Sequence, residues 1–578
     1  MLLGALSVGF HIWLIFSGLV SNLISRPLHM ALALPWVFIF LAKSNLSRWI
    51  GIVVTIIALT GCFYVVFNQS MLSDQYGSLD GQLQIWLAGG LIISVLEMAR
   101  RAIGWPLPTI AAIALLYGLF GNQLPGEFGH PGIPLESYLG TMTIAEGGLW
   151  GSLTGVSVNI VAIFVIMGAV LNAGEAGQGF MNLASAAAGR LKGGAAKVSV
   201  LSSALFGSIS GSASANVAST GAITLPAMTN LGYPKHLAAA VEAVASSGGQ
   251  IMPPLMGAGA FVMVELTGTP YTGIMAAALL PAVLYFVTVW IGINAYAIRY
   301  DLKPLAAEHL PEKRTVVITA SFFAVPFAVL LGLMFIGGYT PQFAAAGAIL
   351  SGFVLLFFDA KLTFDSKRSF KRLQHVALNA GQQIAVIAAI ILCAGLIISV
   401  LGQTGLGIKI TSLILSVGGE QLWPALLLTA LACLILGMEV PTTAAYVICI
   451  SVAGPALQKL GLEPLLAHLF VFWFALLSTI TPPVCGAVFI AAGMIGENWL
   501  KVAFTAMALG VGLYIIPLGM IANPAIITFA DTPTLSILIF IKLAIGLAMM
   551  SYGLIGKLKW SHKMTLIVLG LLLVFVSV

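Results

Sequence analysis

The runs Ser-Ser-Gly-Gly-Gln-Ile-Met-Pro-Pro at 246–254 and Ser-Thr-Ile-Thr-Pro-Pro at 478–483 contain the chain's two Pro-Pro pairs, which are 229 residues apart. Each pair lies inside a long apolar segment, near 236–267 and near 464–495. Because two consecutive prolines lack two backbone donors, each pair should unwind its helix locally. The sequence therefore predicts two apolar helices that are broken at matching positions.

The same offset of 229 residues aligns further dipeptides on either side of the breaks. They are Pro226-Ala227 with Pro455-Ala456, Leu231-Gly232 with Leu460-Gly461, Gly257-Ala258 with Gly486-Ala487, and Leu284-Tyr285 with Leu513-Tyr514. The repeat covers about 154–290 and 384–519, and an odd number of predicted membrane crossings separates the copies. Inverted repeats with broken helices are typical of secondary transporters, whose substrate and ion sites lie between the copies at mid-membrane.

The composition is that of a polytopic, all-α membrane protein. Of 578 residues, 60% are hydrophobic and 8% are charged, against about 25% charged residues in soluble domains. This excludes a water-soluble enzyme. The net charge of +6 comes from basic residues in short loops, so no nucleic-acid partner is expected. The five cysteines lie in apolar runs, without the two-residue spacing of a zinc or redox site.

Hydropathy windows predict about fifteen spans and two further interrupted segments. The interrupted segments, 195–230 and 422–458, are broken midway by small and polar residues and should form re-entrant helical hairpins. The predicted spans lie near 2–22, 28–42, 49–68, 82–99, 103–121, 154–173, 236–267, 273–298, 315–337, 343–358, 378–400, 464–495, 502–521, 534–556 and 562–578.

Loop charges set the expected orientation. With a cytoplasmic N-terminus, basic clusters such as Arg100-Arg101 and Lys371-Arg372 lie in cytoplasmic loops, whereas Asp74 and Glu136 lie outside, as the positive-inside rule requires. The first hairpin should then open from the cytoplasmic side and the second from the opposite side. The expected location is the bacterial inner membrane.

The tip of the first hairpin, residues 207–216, is a dense polar run at membrane depth. Its glycines let the backbone leave the helix, which frees carbonyls for a cation and exposes helix N-termini to an anion. Alternatively, Gly207 and Gly211 are packing positions that let helices approach closely. The candidate substrate-binding residues are Ser208, Ser210, Ser212, Ser214 and Asn216.

The tip of the second hairpin, residues 437–444, carries an acid within an apolar segment. An acid at membrane depth is a functional-site hypothesis by default: Glu439 would bind sodium, carry a proton, or pair with a structural partner. Pro441 removes a helical hydrogen bond, and Thr442 and Thr443 add oxygens. These four residues are the second set of candidates.

The polar clusters at the two breaks suggest one cation site per repeat. Serine and threonine oxygens beside freed carbonyls suit sodium, and a proton remains an alternative coupling ion. Plain proline kinks would explain the prolines but not the adjacent polar clusters. The candidate residues are Ser247, Gly248, Gly249, Ser478, Thr479 and Thr481.

Two other charged residues lie in apolar segments. Glu242 is two turns from Lys235, which favours an ion pair or an interface. Lys542 should extend its ammonium toward the membrane surface or, alternatively, attract an anion. The eight histidines are not at metal-ligand spacing, so no metal centre or organic cofactor is expected.

The run 202–226, the break at 246–254 and above all Leu-Gly-Met-Glu-Val-Pro-Thr-Thr-Ala-Ala-Tyr at 436–446 resemble the large membrane subunit of tripartite ATP-independent periplasmic (TRAP) transporters. The closest resemblance is to the TAXI-type branch with fused small and large membrane subunits. It covers about 100–530, and the first four spans are similar to the fused small subunit. A small residue would be expected where Glu439 stands.

The resemblance implies an elevator transporter that takes up a small organic anion with sodium, delivered by a periplasmic substrate-binding protein. The implied units are a fused four-helix scaffold (1–100), a scaffold helix and periplasmic loop (101–153), the first repeat (154–298), scaffold helices with basic loops (299–377), the second repeat (378–521) and C-terminal helices (522–578).

Two alternatives remain open at this point. One is a carboxylate symporter of the same broad fold that needs no binding protein. The other, from a different class, is an intramembrane enzyme that uses Glu439 or the hairpin serines.

Overall fold

The computed structural model describes residues 1–306, 308, 310–419, 421–437, 441–483 and 485–576. Within these ranges the regular elements are all helices, and the only extended pairing is an isolated bridge between Phe358 and Phe364. The predicted all-α membrane fold is confirmed.

Nine of the predicted spans correspond to helical segments that are long and apolar enough to cross a membrane, counted over the described residues. Those near 154–173 and 502–521 each comprise two consecutive helices. The segment at 378–400 belongs to a longer helix, Ser366–Thr404. The other predicted spans differ for two reasons. Four of them form helices of only about four turns, for example Leu2–Phe16. The two segments that contain Pro-Pro pairs are each split into two helices, as consecutive prolines require.

The N-terminal part of the chain forms a helical unit that packs against Ser366–Thr404. The helices before the first repeat are α1 (Leu2–Phe16), α2 (Asn22–Pro35), α3 (Asn45–Phe67), α4 (Gln69–Asp74), α5 (Gly81–Ile103), α6 (Pro106–Phe120), α7 (Leu135–Thr143) and α8 (Ser152–Val156).

The first repeat contains the first hairpin, the first break and a long closing helix. Its helices are α9 (Ala162–Ala173), α10 (Ala176–Ala188), α11 (Gly194–Ser210), α12 (Ala213–Asn230), α13 (Lys235–Gly248), α14 (Gly257–Thr267) and α15 (Tyr271–Tyr300). The hairpin is α11 with α12, and the break separates α13 from α14.

The second repeat follows two connecting helices and shows the same order of elements. The remaining helices are α16 (Lys313–Leu331), α17 (Pro341–Leu355), α18 (Ser366–Thr404), α19 (Leu406–Val417), α20 (Leu422–Gly437), α21 (Thr442–Lys459), α22 (Pro464–Leu477), α23 (Gly486–Ile495), α24 (Trp499–Leu509), α25 (Val511–Ala522), α26 (Pro533–Ile555) and α27 (Trp560–Phe575). Here the hairpin is α20 with α21, and the break separates α22 from α23.

The two repeats pack reciprocally. Helices α12 and α13 of the first repeat contact α23 of the second, while α21 and α22 of the second contact α14 of the first. Such exchange of equivalent contacts is what two copies related by a two-fold axis would make. It brings both hairpin tips and both breaks to the centre of the molecule.

The N-terminal unit packs closely against α18. Helix α1 approaches α18 so closely that a side chain at Gly4 would collide with the backbone carbonyl of Ala377. A buried polar chain adds to this interface: His11 Nε2 lies 2.8 Å from His29 Nδ1, and His29 Nε2 lies 3.0 Å from Ser157 Oγ. These contacts pack α1 against α18 and join α1 and α2 to the segment that precedes α9.

Candidate functional site

A cavity of about 1000 Å³ lies where the two hairpin tips and the two breaks converge. Its walls come from residues 210–215 of the first tip, 441–443 of the second, both breaks, and the helices α9 and α18. Pockets for small molecules in proteins have volumes of roughly 300–1000 Å³. The cavity is therefore large enough for a small organic solute with its water.

The first hairpin turns at Gly211, whose φ of +59° is in the left-handed region that glycine tolerates best. Ser212 then caps α12 by accepting a hydrogen bond from the Ala215 amide at 3.3 Å. Ser210, Ser212 and Ser214 all line the cavity. The turn thus presents three hydroxyls and the N-terminus of α12 to the same space.

Two other predicted residues of this tip do not line the cavity. Ser208 is buried and donates to the Leu205 carbonyl at 2.7 Å. Asn216 is also buried, and its Nδ2 donates to the carbonyls of Ser203 at 2.9 Å and Ser246 at 3.3 Å. Ser208 thus bonds within its own helix, whereas Asn216 lies on the face of α12 that meets α11 and α13. Asn216 ties the hairpin to the helix that precedes the first break.

Gly207 is a packing position that lets two helices approach closely, as the alternative interpretation of the tip glycines predicted. A methyl group on Gly207 would overlap with the Cα of Gly249, and one on Gly249 would meet Gly207 in turn. The backbones of the hairpin and the break are therefore in direct contact, as small residues allow in membrane helices. This one short segment therefore contains both polar residues that line the cavity and small residues that allow close packing.

In the second tip, Pro441, Thr442 and Thr443 line the cavity. Thr442 Oγ1 donates to Gln250 Oε1 in the first break at 2.9 Å. Glu439 lies outside the described residues.

The two breaks contact each other across the repeat boundary. Thr479 Oγ1 donates to Ser247 Oγ at 2.8 Å, and Ser478 and Thr479 both line the cavity. Under the offset of 229 residues, Thr479 is equivalent to Gln250, and each of these two residues bonds to the other repeat. The polar residues at the breaks therefore hold the two copies together as well as lining the cavity.

The other predicted sodium-site residues lie behind the cavity wall. Ser247 is fully buried, and Gly248 and Gly249 are buried between the hairpin and α15. Thr481 Oγ1 lies 2.6 Å from the Tyr514 hydroxyl. The sodium assignment of all six break residues remains a prediction.

Four helix N-termini point at the cavity wall. The first residues of α12, α14, α21 and α23, at 213, 257, 442 and 486, all line it. Each helix N-terminus carries the equivalent of about half a positive charge and free amide donors. Among the lining residues that the structure describes there is no Lys, Arg, Asp or Glu. Within the described lining, an anion would therefore be held by helix N-termini and hydroxyls rather than by a lysine or arginine side chain.

The wall opposite the hairpins was not predicted from the sequence. Asn172 on α9 and four polar residues on α18, namely His375, Asn379, Gln382 and Gln383, line the cavity. Along α18, Asn379 follows His375 by four residues, Gln382 follows Asn379 by three, and Gln383 is adjacent. These four residues therefore share one helical face. That spacing is visible in the sequence and is the signal that could have identified them.

Two charged residues in apolar segments have partners that are distant in sequence. Glu242 makes no ion pair with Lys235; it lies at an interface between helices, is fully buried and accepts hydrogen bonds from hydroxyl groups, because α13 packs its middle turns against α11 and α12. Lys542 Nζ donates to Asn523 Oδ1 at 2.7 Å and also to the Val576 carbonyl. Its extension toward the membrane surface stays a prediction.

Comparison with known proteins identifies the family. Residues 91–535 match the family model described as "Tripartite ATP-independent periplasmic transporter, DctM component". The chain belongs to the DctM family. The TRAP resemblance is thereby confirmed over most of the chain, and DctM proteins are transporter permeases, so the intramembrane-enzyme alternative is excluded.

Several relatives of this DctM protein are named after the solute that they transport. It is 27% identical over 342 residues to the C4-dicarboxylate TRAP transporter large permease protein DctM of Pseudomonas aeruginosa, covering 58% of this chain and 77% of the relative. It is 24% identical over 453 residues to the isethionate TRAP transporter permease protein DctMQ of Oleidesulfovibrio alaskensis, covering 73% and 69%. It is 25% identical to the Escherichia coli 2,3-diketo-L-gulonate large permease protein YiaN, covering 66% and 86%.

As a DctM protein, the chain is a multi-pass membrane component of a TRAP transporter, which works with a periplasmic substrate-binding protein. This finding disfavours the alternative of a symporter that needs no binding protein. The cavity is therefore the candidate solute-binding site of this permease.

Proposed function

We propose that this DctM protein imports a small organic anion by sodium-coupled, elevator-type movement, receiving the anion from a periplasmic substrate-binding protein. The observation that carries the proposal is the convergence of four helix N-termini on one cavity between the two repeats. Preorganised amide donors and helix dipoles favour an anion. Hydroxyls of Ser210, Ser214 and Thr443 would supply directional hydrogen bonds to it.

Sodium coupling is supported by the composition of the breaks. Hard cations take oxygen ligands, and the cavity lining includes Ser210 at the end of α11 and Gly437 at the end of α20 together with Ser478 and Thr479, which follow α22. Such broken helices offer carbonyl ends to a cation and N-termini to an anion in the same place. Binding of one would then favour binding of the other.

The elevator proposal rests on the packing. The hairpins and breaks of both repeats form one interlocked group, α11–α14 with α20–α23. Helices α9 and α18 form the opposite wall of the cavity, and the N-terminal unit packs against α18. Movement of the interlocked group along that wall would carry the site across the bilayer without breaking its internal contacts. The inner membrane and a cytoplasmic N-terminus complete the proposal.

The test is uptake by the purified chain in proteoliposomes. Its cognate binding protein would be added outside, with a panel of isotope-labelled C4-dicarboxylates, isethionate and 2,3-diketo-L-gulonate as candidate cargo. The proposal predicts accumulation that needs both the binding protein and an inward sodium gradient, and that stops when choline replaces sodium. Equal uptake without the binding protein, or without sodium, would contradict it.

A further inference from the structure

Glu242 is a buried acid that the solute cavity does not use. It lies in the middle of α13, is fully buried, and is absent from the cavity lining. Its carboxyl group is surrounded by hydroxyls from three helices. The donors are Ser199 Oγ at 2.7 Å and Ser203 Oγ at 3.4 Å on α11, the hydroxyls of Thr220 and Thr224 on α12, and Ser246 Oγ at 3.2 Å on α13.

No basic side chain among the described residues lies within 4.0 Å of Glu242. The helices that pack on α13 are α11, α12, α15, α23 and α24. Of these, α12 and α23 contain no ionisable side chain. Lys197 of α11 is placed over the Trp290 ring, 5.0 Å from its centroid, and Tyr285 of α15 donates to the Val244 carbonyl.

The remaining charged groups on these helices lie toward their ends. Lys235 and His236 are at the start of α13, Arg299 is at the end of α15, and Lys501 is exposed on the first turns of α24. An ionised carboxylate with no counter-charge, removed from water, costs several kcal/mol. Hydroxyl dipoles offset only part of that cost. Protonation removes the charge. The new O–H can donate to a threonine hydroxyl that turns to donate to its own helix, at the Asn216 or Thr220 carbonyl, while the other hydroxyls still donate to the carboxyl group.

We propose that Glu242 binds a proton and that this hydroxyl cluster is a proton site of the permease, separate from the solute cavity. A metal ion fits the cluster poorly. The hydroxyls of Thr220 and Thr224 contact the carboxyl oxygens directly, and on the adjacent side a Cβ at Gly221 would meet Glu242 Cγ at 3.2 Å and Met494 Sδ at 3.5 Å. A sodium ion would have to push these groups apart, whereas a proton needs no space.

The site is connected to the cavity through one turn of helix. Ser246 donates to Glu242, and its carbonyl accepts a hydrogen bond from Asn216 of the first hairpin. The next residue, Ser247, accepts the hydrogen bond from Thr479, which lines the cavity. A proton gained or lost at Glu242 therefore acts on the segment that joins the hairpin to both breaks. That this proton moves with the solute rests on the proposed transport function; that Glu242 binds it does not.

The experiment is infrared difference spectroscopy of the purified full chain in lipid nanodiscs during a pH titration, without solute or binding protein. The C=O stretch of a protonated carboxyl group is expected at neutral pH in the wild type, to be lost in E242Q, and to persist in E265Q. Glu265 is the control because it lies on α14 of the same repeat and is exposed. Adding sodium at constant pH should leave the band unchanged.

A second variant makes the test independent of the stability of E242Q. T224V keeps the shape of the side chain but removes one hydroxyl donor, so the band should move to higher frequency. An unshifted band in T224V, the same band in E242Q, or a band that sodium abolishes would overturn the proposal. None of these readings depends on transport, so a failed uptake assay and a failed proton site are distinguishable.

Discussion

Thr479, in the break that follows α22, donates a 2.8 Å hydrogen bond from its Oγ1 to the Oγ of Ser247 near the end of α13. These two residues are 232 positions apart in the chain and belong to different repeats. Their contact joins the two broken helices beside the cavity. Anything that moves one break must therefore move the other or break this hydrogen bond.

Thr479→Val should uncouple the two breaks while preserving the side-chain shape. We expect a loss of about 1 kcal/mol in the free energy of unfolding, the net value of one buried hydrogen bond. In the wild type, sodium should raise the melting temperature relative to potassium, since a ligand that binds only the folded state stabilises it. In T479V that sodium-dependent increase should be smaller.

The measurement is thermal unfolding of the detergent-purified chain in sodium and in potassium. Thr60→Val is the matched control, because Thr60 is an exposed residue of α3 whose hydroxyl bonds only to its own helix, at the Ile56 carbonyl. Equal sodium responses in T479V and wild type would show that this contact is not part of the ion site.

Gly207→Ala should separate the first hairpin from the first break. The added methyl group would overlap with Gly249 Cα, and overpacking of this kind costs about 1–3 kcal/mol. The melting temperature should fall and sodium stabilisation should weaken. Gly177→Ala is the control, because Gly177 lies in α10 with no atom within 4 Å of the new methyl group. If both variants unfold at the wild-type temperature, the close approach of hairpin and break is contradicted.

Ser214→Ala and Ser208→Ala should have different effects on uptake. Ser214 is exposed to the cavity, whereas Ser208 donates to its own helix at the Leu205 carbonyl. S214A should reduce solute uptake by roughly tenfold, the equivalent of about 1.4 kcal/mol for a hydrogen bond to a charged group. S208A should retain uptake. The result to be measured is the initial rate in proteoliposomes with the binding protein present.

Gln383→Leu should change which solute is transported. Gln383 faces the cavity from α18, opposite the hairpins, so its amide contributes directional hydrogen bonds but no charge. The ratio of uptake rates among the labelled anions should shift, while sodium-dependent thermal stabilisation stays at the wild-type level. An unchanged ratio would show that α18 is only a passive wall. Ile398, which lies on α18 but outside the cavity lining, provides the control variant I398L.

Much of the fold could be predicted from local patterns. The hairpin predicted at 195–230 is α11 with α12 over 194–230, and the one at 422–458 is α20 with α21 over 422–459. Both were detectable because glycine, serine and proline interrupt apolar runs at points where a helix must end. The cavity-lining residues of the tips were predicted for the same reason.

Properties that depend on which helices meet could not be predicted. Sequence proximity suggested Lys235 as an ion-pair partner of Glu242, but most of its actual partners come from α11 and α12 and are 18 to 43 positions away. Likewise, Ser208 and Asn216 belong to the predicted polar run, yet Ser208 bonds within its own helix and Asn216 bonds to α11 and α13. Only the packed arrangement distinguishes a residue at the cavity from one that holds the hairpin in place.

The proposed transport mechanism requires that the two repeats have opposite orientations in the membrane. Lys235, at the start of α13, and Glu463, just before α22, follow the first and second hairpins at nearly equivalent positions, and both are exposed. The five native cysteines are buried, so K235C and E463C can each be labelled against a low background.

The most direct measurement is labelling of these two variants with a membrane-impermeant maleimide in intact spheroplasts and in inside-out vesicles. The proposed topology predicts that E463C reacts only in spheroplasts and K235C only in inside-out vesicles. Labelling of both positions from the same side would contradict the inverted repeat and the transport mechanism built on it.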